Sequence, residues 1–278
     1  MPSRPNRTSS HLFIALIIAL IALAATAGVG TFLLRGRTTG LMRADPQATP
    51  APTTTPAPIP SASPSPTAKP TPTPSAPRTY LATGPNTYVF APGTSPVFGE
   101  AGTLRRYRVA VETGTPVPIE EFASVVDATL SDPRSWIAGK NVRLQRVPGN
   151  ATSYQFTVYL VTPGTAQKLC LAGGFDIFWR GEPYTSCRVG GRVLINISRY
   201  LKAVPNYGAP VADYQRYAIN HEVGHALGHG HELCPGKGKL APVMQQQTFD
   251  LQGCVAYFWP YLDGKRYAGP PGRIVPSG

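Results

Sequence analysis

The sequence predicts one α+β domain, a mixed twisted sheet covered by helices with one helix at its centre, behind an apolar span and a Pro-rich linker. Three observations carry this. Strand-like and helix-like stretches follow one another as strand, helix, strands, helix, an order that fits a mixed sheet covered by helices. The last helical stretch, from Pro210 or Val211 to Leu227, has apolar residues on two sides, which marks a central helix. The 31 prolines of the 278-residue chain are unevenly spread, with twelve of them between residues 46 and 77.

The chain opens with Arg4 and Arg7, and Leu12–Leu34 then runs 23 residues without a charge. That is long enough to span a bilayer. Two readings are open. A cleaved signal peptide would use Leu12–Ala24 as its apolar core and Ala25-Thr26-Ala27 as its cleavage site. An uncleaved anchor would use the whole run, flanked by Arg35 and Arg37. Arg on both sides leaves charge neutral between them. The continuation through Val29, Phe32, Leu33 and Leu34 favours the anchor, a single pass with the rest of the chain outside the cytoplasm. Cleavage near Ala27 would instead release a secreted protein, and either reading exports the remainder.

Residues 46–77 are almost all Pro, Thr, Ser and Ala, with Lys69 as the only charge. Prolines at this density exclude helices and sheet ladders. The segment is expected to be a semi-rigid spacer reaching up to roughly 100 Å at about 3.1 Å per residue. The expected division is residues 1–37 as cytoplasmic tip and anchor, 38–78 as linker and 79–278 as the folded domain. About 200 residues are ample for one core. From Arg78 onwards there are 20 Lys and Arg against 13 Asp and Glu, a net +7. The excess is scattered, as in Arg105-Arg106-Tyr107-Arg108. It suits an anionic envelope surface. With no binding motif in an exported domain, a nucleic-acid role is excluded.

Within the domain, Tyr107–Val111 predicts a strand with Tyr107, Val109 and Val111 on one face. Pro118–Leu130 predicts a helix, with Pro near the start, Glu120 and Glu121 in the first turn, and Ile119, Phe122, Val126 and Leu130 as its stripe. Val142–Val147 alternates with mixed faces, and Tyr154–Val161 is a stronger strand. Phe175–Trp179 is a short apolar candidate, and Val193–Ile197 is a β-branched strand. In the last helix Tyr214, Tyr217 and Ala218 lead into His221 and His225 on one stripe, and Ile219, Val223, Ala226 and Leu227 form a second.

His221-Glu222-Val223-Gly224-His225-Ala226-Leu227-Gly228-His229-Gly230-His231 carries the chemistry. At about 100° per residue, His225 lies about 40° round from His221, one turn on. Two imidazoles on one face can grip one zinc ion, with the intervening Glu222 as general base. On a continuous helix His231 would point away, about 280° round. It returns to the metal if the helix stops at Gly228, where a left-handed backbone costs little. The competing reading is a His-rich core helix, because His229 also falls on the His221 face. Such a helix has no need of Gly228 followed by Gly230.

The motif H-E-x-x-H-x-x-G-x-x-H resembles that of the metzincin zinc peptidases. The resemblance implies a zincin-like fold, with a twisted sheet set against a first helix and a zinc-bearing helix. It also implies one catalytic Zn²⁺ held by His221, His225 and His231, with Glu222 as the catalytic residue. A Met on a tight turn beneath the metal is implied too, and Met244 in Pro242-Val243-Met244 is the domain's candidate, as a packing residue and not a ligand. Some metzincins carry a Tyr two residues after that Met, where this chain has Gln246. Glu232 after His231 matches the astacin-type variant at that position, and its surroundings do not. From Tyr107 to about Pro260 the chain is also similar to a group of exported proteins of high-GC Gram-positive bacteria, a domain of unknown function with a zincin-like site. The shared words are Asp132-Pro133-Arg134-Ser135-Trp136, Ser186-Cys187-Arg188, Ile219–His231 and Pro242-Val243-Met244-Gln245-Gln246-Gln247. This resemblance implies a fold and a metal but no substrate.

Four cysteines, at 170, 187, 234 and 254, read as two disulfides in an exported domain, with three connectivities open. Pairing of sequence neighbours, Cys170–Cys187 and Cys234–Cys254, is the simplest. The second bridge would close a loop holding Met244, with a stabilisation of about 3 kcal/mol from chain entropy. A Cys–His metal site is the weaker alternative, since three His already leave the open position of a catalytic zinc. The function expected is a zinc metalloendopeptidase of the cell envelope. A stalked, non-catalytic binding module and an amide hydrolase of cell-wall peptides are the alternatives. The expected partners are a protein or peptide substrate and the membrane through Leu12–Leu34, with the chain acting as a monomer. An extended substrate is expected along an edge strand near Phe175–Trp179.

Overall fold

The computed structural model describes residues 78–275. The proposed anchor Leu12–Leu34 and the linker at 46–77 lie outside the described residues. Among the described residues no helix is long and apolar enough to cross a membrane.

The domain is built on a six-stranded mixed sheet. Its longest strand, β2 (Thr103–Glu112), continues four residues before Tyr107 and one after Val111, the limits its alternation predicts. β3 (Val142–Arg146) and β4 (Phe156–Val161) run parallel to β2, and β8 (Arg192–Asn196) runs parallel to β4. The antiparallel strands are β1 (Tyr88–Phe90), which pairs with the end of β2, and β7 (Cys187–Val189), which pairs with β8.

Register sets the core. Tyr107 faces Phe156, Val109 faces Val158 and Val111 faces Leu160; Val158 and Leu160 in turn face Val193 and Ile195. All of these belong to one buried cluster, since residues two apart share a sheet face. α1 (Ile119–Ser131) lays its stripe of Ile119, Phe122, Val126 and Leu130 onto that face. α3 (Ile197–Lys202) and α4 (Val211–Ala226) complete this layer. α4 is buried nearly all round and packs against α1, α3, β7 and β8, so the two-sided apolar helix is central. The other sheet face carries a smaller cluster under α2 (Pro163–Ala172), with Val161, Leu194, Cys170 and Cys187.

Other boundaries also differ from those the sequence predicts. Only Phe178–Trp179 of the Phe175–Trp179 stretch is a strand, β5, and it pairs with β6 (Glu182–Pro183) in a separate two-stranded ribbon. The main sheet's edge on that side is β7. Tyr154 and Gln155 precede β4 without joining it. β8 ends at Asn196, whose side chain caps α3 by accepting from Ser198 N at 3.0 Å, so Ile197 opens a helix. β9 (Tyr261–Leu262) and β10 (Lys265–Arg266) form a last hairpin.

The disulfides join the sequence neighbours, Cys170–Cys187 and Cys234–Cys254. Two disulfides mark an exported domain, folded outside the reducing cytosol.

Candidate metal centre

α4 presents His221 and His225 one turn apart, and the chain then turns back. Leu227 caps the helix, Gly228 adopts φ +98°, and its N–H donates to His225 O at 3.1 Å. His229 N–H donates to Gly224 O at 2.9 Å. These two bonds and a left-handed residue make a Schellman motif. They end the helix where Gly228 predicts and bring His231 back. The candidate donor atoms of His221, His225 and His231 lie within 4.8 Å of one another. His229 stands outside this group, with its ring stacked on Trp136 at 4.2 Å between centroids.

Each helix ligand has its outer nitrogen fixed. His221 Nδ1 is 2.8 Å from Val243 O, and His225 Nδ1 is 2.8 Å from His229 O. A ring nitrogen facing a carbonyl carries the proton, so Nε2 keeps its lone pair. Carbonyl or carboxylate partners of this kind orient metal-ligating histidines. His225 Nε2 and His231 Nε2 are 3.0 Å apart. Burial keeps all three rings neutral. It holds His221 well below its ordinary 6.5, lowers His225, and brings His231 down to about 4. Three neutral imidazoles with converging lone pairs fit a divalent metal ion.

Glu222 is the fourth group. It is 5 % exposed, and its Oε2 has no hydrogen-bond partner among the described residues. Desolvation alone pushes its carboxyl up from 4.5 to about 8. An adjacent cation reverses that shift by favouring the carboxylate. A cleft of about 420 Å³ joins these groups, lined by the three histidines, Glu222, Arg188 and Phe175 among others.

The floor is the turn Pro242–Gln245, closed by Gln245 N to Pro242 O at 2.9 Å. Met244 sits in this turn, fully buried under α4. A Cβ on Gly224 would lie 2.5 Å from Met244 Sδ and 2.6 Å from Trp136 Cζ2, so the helix needs glycine there to approach its floor. Tyr217 of α4 fastens the turn, donating its hydroxyl to Gln245 O at 3.0 Å and accepting from Gln247 N at 2.9 Å. The same turn supplies the Val243 carbonyl to His221. Trp136 Nε1 donates to Asn220 O, and Ser135 Oγ donates to Asn220 Oδ1, each at 2.9 Å, which ties the Asp132–Trp136 stretch to the helix beside the first ligand.

Glu232 secures the third ligand. Its carboxylate takes Arg266 at 2.7 Å and Gly269 N at 3.2 Å, and Gly272 N donates to His231 O at 3.1 Å. The last described segment thereby pins the strand-like stretch after the turn.

The structure brings His221, His225 and His231 together beside Glu222, turns the chain at Gly228 and buries Met244 beneath α4. The Val243 and His229 carbonyls escape sequence reasoning, because backbone groups leave no residue signature. Arg188 has no role in the sequence pattern either, although a cation between inward-facing Cys187 and Val189 is a readable signal. The correction concerns Phe175–Trp179. Phe175 lines the cleft as a loop residue, and the sheet edge beside the cleft is β7. The short run is apolar because Trp179 packs against Tyr184 and Phe249, at 4.6 and 5.4 Å between centroids.

No curated protein and no solved structure matches the chain. A family model described as "Protein of unknown function (DUF3152)" matches residues 74–258, more than half of the chain and every element from β1 to α4. By that match the chain belongs to the DUF3152 family.

Proposed function

We propose that this protein is a zinc-dependent endopeptidase of the cell envelope. The observation that carries the reading is one cleft in which three oriented, neutral imidazoles meet a buried carboxylate oxygen with no partner. Zinc suits a three-histidine set, and its bound form supplies a Lewis acid and an activated water. The chain's own residues do the rest. Glu222 follows His221 directly in α4 and lines the same cleft as the ligands. It takes a proton from the attacking water and hands it to the leaving amine. Val243 and His229 carbonyls keep the His221 and His225 rings in place through the cycle. An extended peptide adds to the outer edge of β7, which has no strand partner among the described residues besides β8. The uncharged run Leu12–Leu34 supports a single membrane pass, with the domain held outside on its Pro-rich stalk.

The test is an unbiased peptide library incubated with the zinc-loaded chain and with the same chain after chelation. Cleavage that disappears on chelation and returns with zinc is expected. A zinc-loaded chain that cleaves nothing overturns the peptidase in favour of a stalked binding module.

A further inference from the structure

We propose that Arg188 is the anion-binding residue of the cleft, and that the substrate carries a carboxylate next to the bond presented to the histidines. The substrate part rests on the peptidase reading; the binding part does not.

The placement follows from β7. In a strand, successive side chains face opposite ways. Cys187 faces α2, where it is bonded to Cys170, and Val189 faces the same side, close enough that a Cβ on Gly173 would meet its Cγ1 at 2.4 Å. Arg188 therefore faces the α4 side. Its register partner Val193 belongs to the main core on that side. Arg188 stands at the same face but at the sheet's edge, and it lines the cleft with the three histidines.

A guanidinium in that position needs an acceptor. Arg188 Nε is shut off from solvent and has no hydrogen-bond partner among the described residues. Among the described residues the Arg188 side chain has no ion pair, hydrogen bond or aromatic partner. The domain's other inward-reaching arginines are engaged: Arg146 with Asp127, Arg199 with Glu182 and Tyr184 O, Arg266 with Glu232. A desolvated donor left unpaired is destabilising, and a ligand that completes it recovers the loss. The cleft's two carboxylates do not supply the acceptor. Glu222 is unpaired on its own account, and Asp176 takes Gln167 Nε2 and Phe178 N at 2.9 Å each. Arg273, on the segment bonded to His231 O through Gly272, adds a second cation that acts on His231.

The group that fits is a carboxylate. It offers two oxygens to the planar fork of the guanidinium. A peptide added to the free edge of β7 places alternate side chains on the α4 face, opposite or diagonal to Arg188. Phe175, 55 % exposed on the same cleft, offers an apolar wall to the neighbouring side chain. The carboxylate comes either from an acidic side chain, in keeping with an endopeptidase, or from the peptide's C-terminus, which would make the cleavage that of a carboxypeptidase.

Binding is measured by calorimetry on the full-length, zinc-loaded chain carrying Glu222→Gln, so that turnover does not interfere. The probes are acetylated, amidated hexa-alanine peptides with a single Glu or a single Gln walked through the positions, and hexa-alanine with a free C-terminus. One Glu position, or the free C-terminus, should bind about tenfold tighter than its neutral counterpart. Adding Arg188→Gln should erase that difference at unchanged zinc content, and Arg188→Lys should keep part of it. Equal binding of charged and neutral probes overturns the proposal, as does a preference that survives Arg188→Gln, or no binding of any probe. With Glu222 restored, a turnover loss in Arg188→Gln equal for Glu and Gln peptides also overturns it, because Arg188 would then act on the reaction without selecting the substrate. Binding with this preference but no cleavage by the chain with native Glu222 sinks the peptidase reading and leaves Arg188 standing.

Discussion

Two glutamates are buried in this domain, and their surroundings differ. Glu112, at the end of β2, is 1 % exposed, and Glu222, in α4, is 5 % exposed. Glu112 Oε1 accepts from Asn86 N at 2.8 Å and Thr165 Oγ1 at 2.7 Å, and its Oε2 accepts from Thr162 N at 2.8 Å. Those donors tie the loop before β1 and the start of α2 to the central strand. Glu222 Oε2 has no donor among the described residues. Burial costs both carboxylates their hydration, and only Glu112 has it replaced by the fold. The difference separates a carboxylate that holds structure together from one whose Oε2 the described residues leave without a donor. The same contrast holds among the histidines, where His229 is committed to Trp136 and the other three converge.

The largest expected effect breaks the histidine contrast. His231→Ala should lower zinc content at a saturating ratio from about one ion per chain to near none, since two imidazoles do not make a closed site. His229→Ala should keep the metal and lose only the stacking on Trp136, about 1 kcal/mol of stability. Metal analysis of both variants decides; zinc lost from His229→Ala and kept in His231→Ala would place the third ligand wrongly.

A smaller effect tests Glu112. Glu112→Ala leaves the buried Thr162 N, the part-buried Asn86 N and the Thr165 hydroxyl without their acceptor and should cost about 3 kcal/mol in denaturant unfolding, with zinc stoichiometry unchanged in the folded fraction. A neutral result would mean that its donors find water and that the two glutamates are alike.

The smallest effect is read as a pH slope. In metal-free protein burial raises the Glu222 carboxyl from 4.5 to about 8. The folded state then holds a proton that the unfolded chain releases, so stability falls as pH rises from about 4.5 to about 8 and is flat above. Glu222→Gln should remove that slope and gain stability over wild type by a few kcal/mol at pH 8. The depressed histidines act in the opposite sense below 6.5, where the unfolded chain takes up protons first, and they cancel in the comparison. Parallel stability curves for the two proteins would mean that Glu222 is solvated or paired after all.

Much of this arrangement is legible in the residues. Strong period-2 and period-3.6 patterns locate β2, β4, β8, α1 and α4, because each buries a continuous face. The histidine triad is legible because holding a metal ion demands fixed spacing, and Gly228 because it must turn left-handed. Elements with little apolar contrast are not. α2 begins Pro163-Gly164, which reads as a turn, and it buries only the small residues Thr165, Ala166 and Cys170. α3 is hidden because β-branched Ile197 continues the strand pattern, although Asn196 as a cap is readable. β1 and β7 are three residues long, too short for a period. Their identity comes from pairing with distant strands, which no local pattern encodes.

The most direct measurement places zinc content beside turnover in the wild type and in Glu222→Gln. On whatever peptide the library identifies, both should hold one zinc per chain and unfold alike when loaded, while the variant loses about 10²–10⁴-fold in turnover. A Glu222→Gln protein that holds zinc and cleaves as well as wild type would contradict the general-base role proposed for Glu222, whose buried Oε2 has no donor among the described residues.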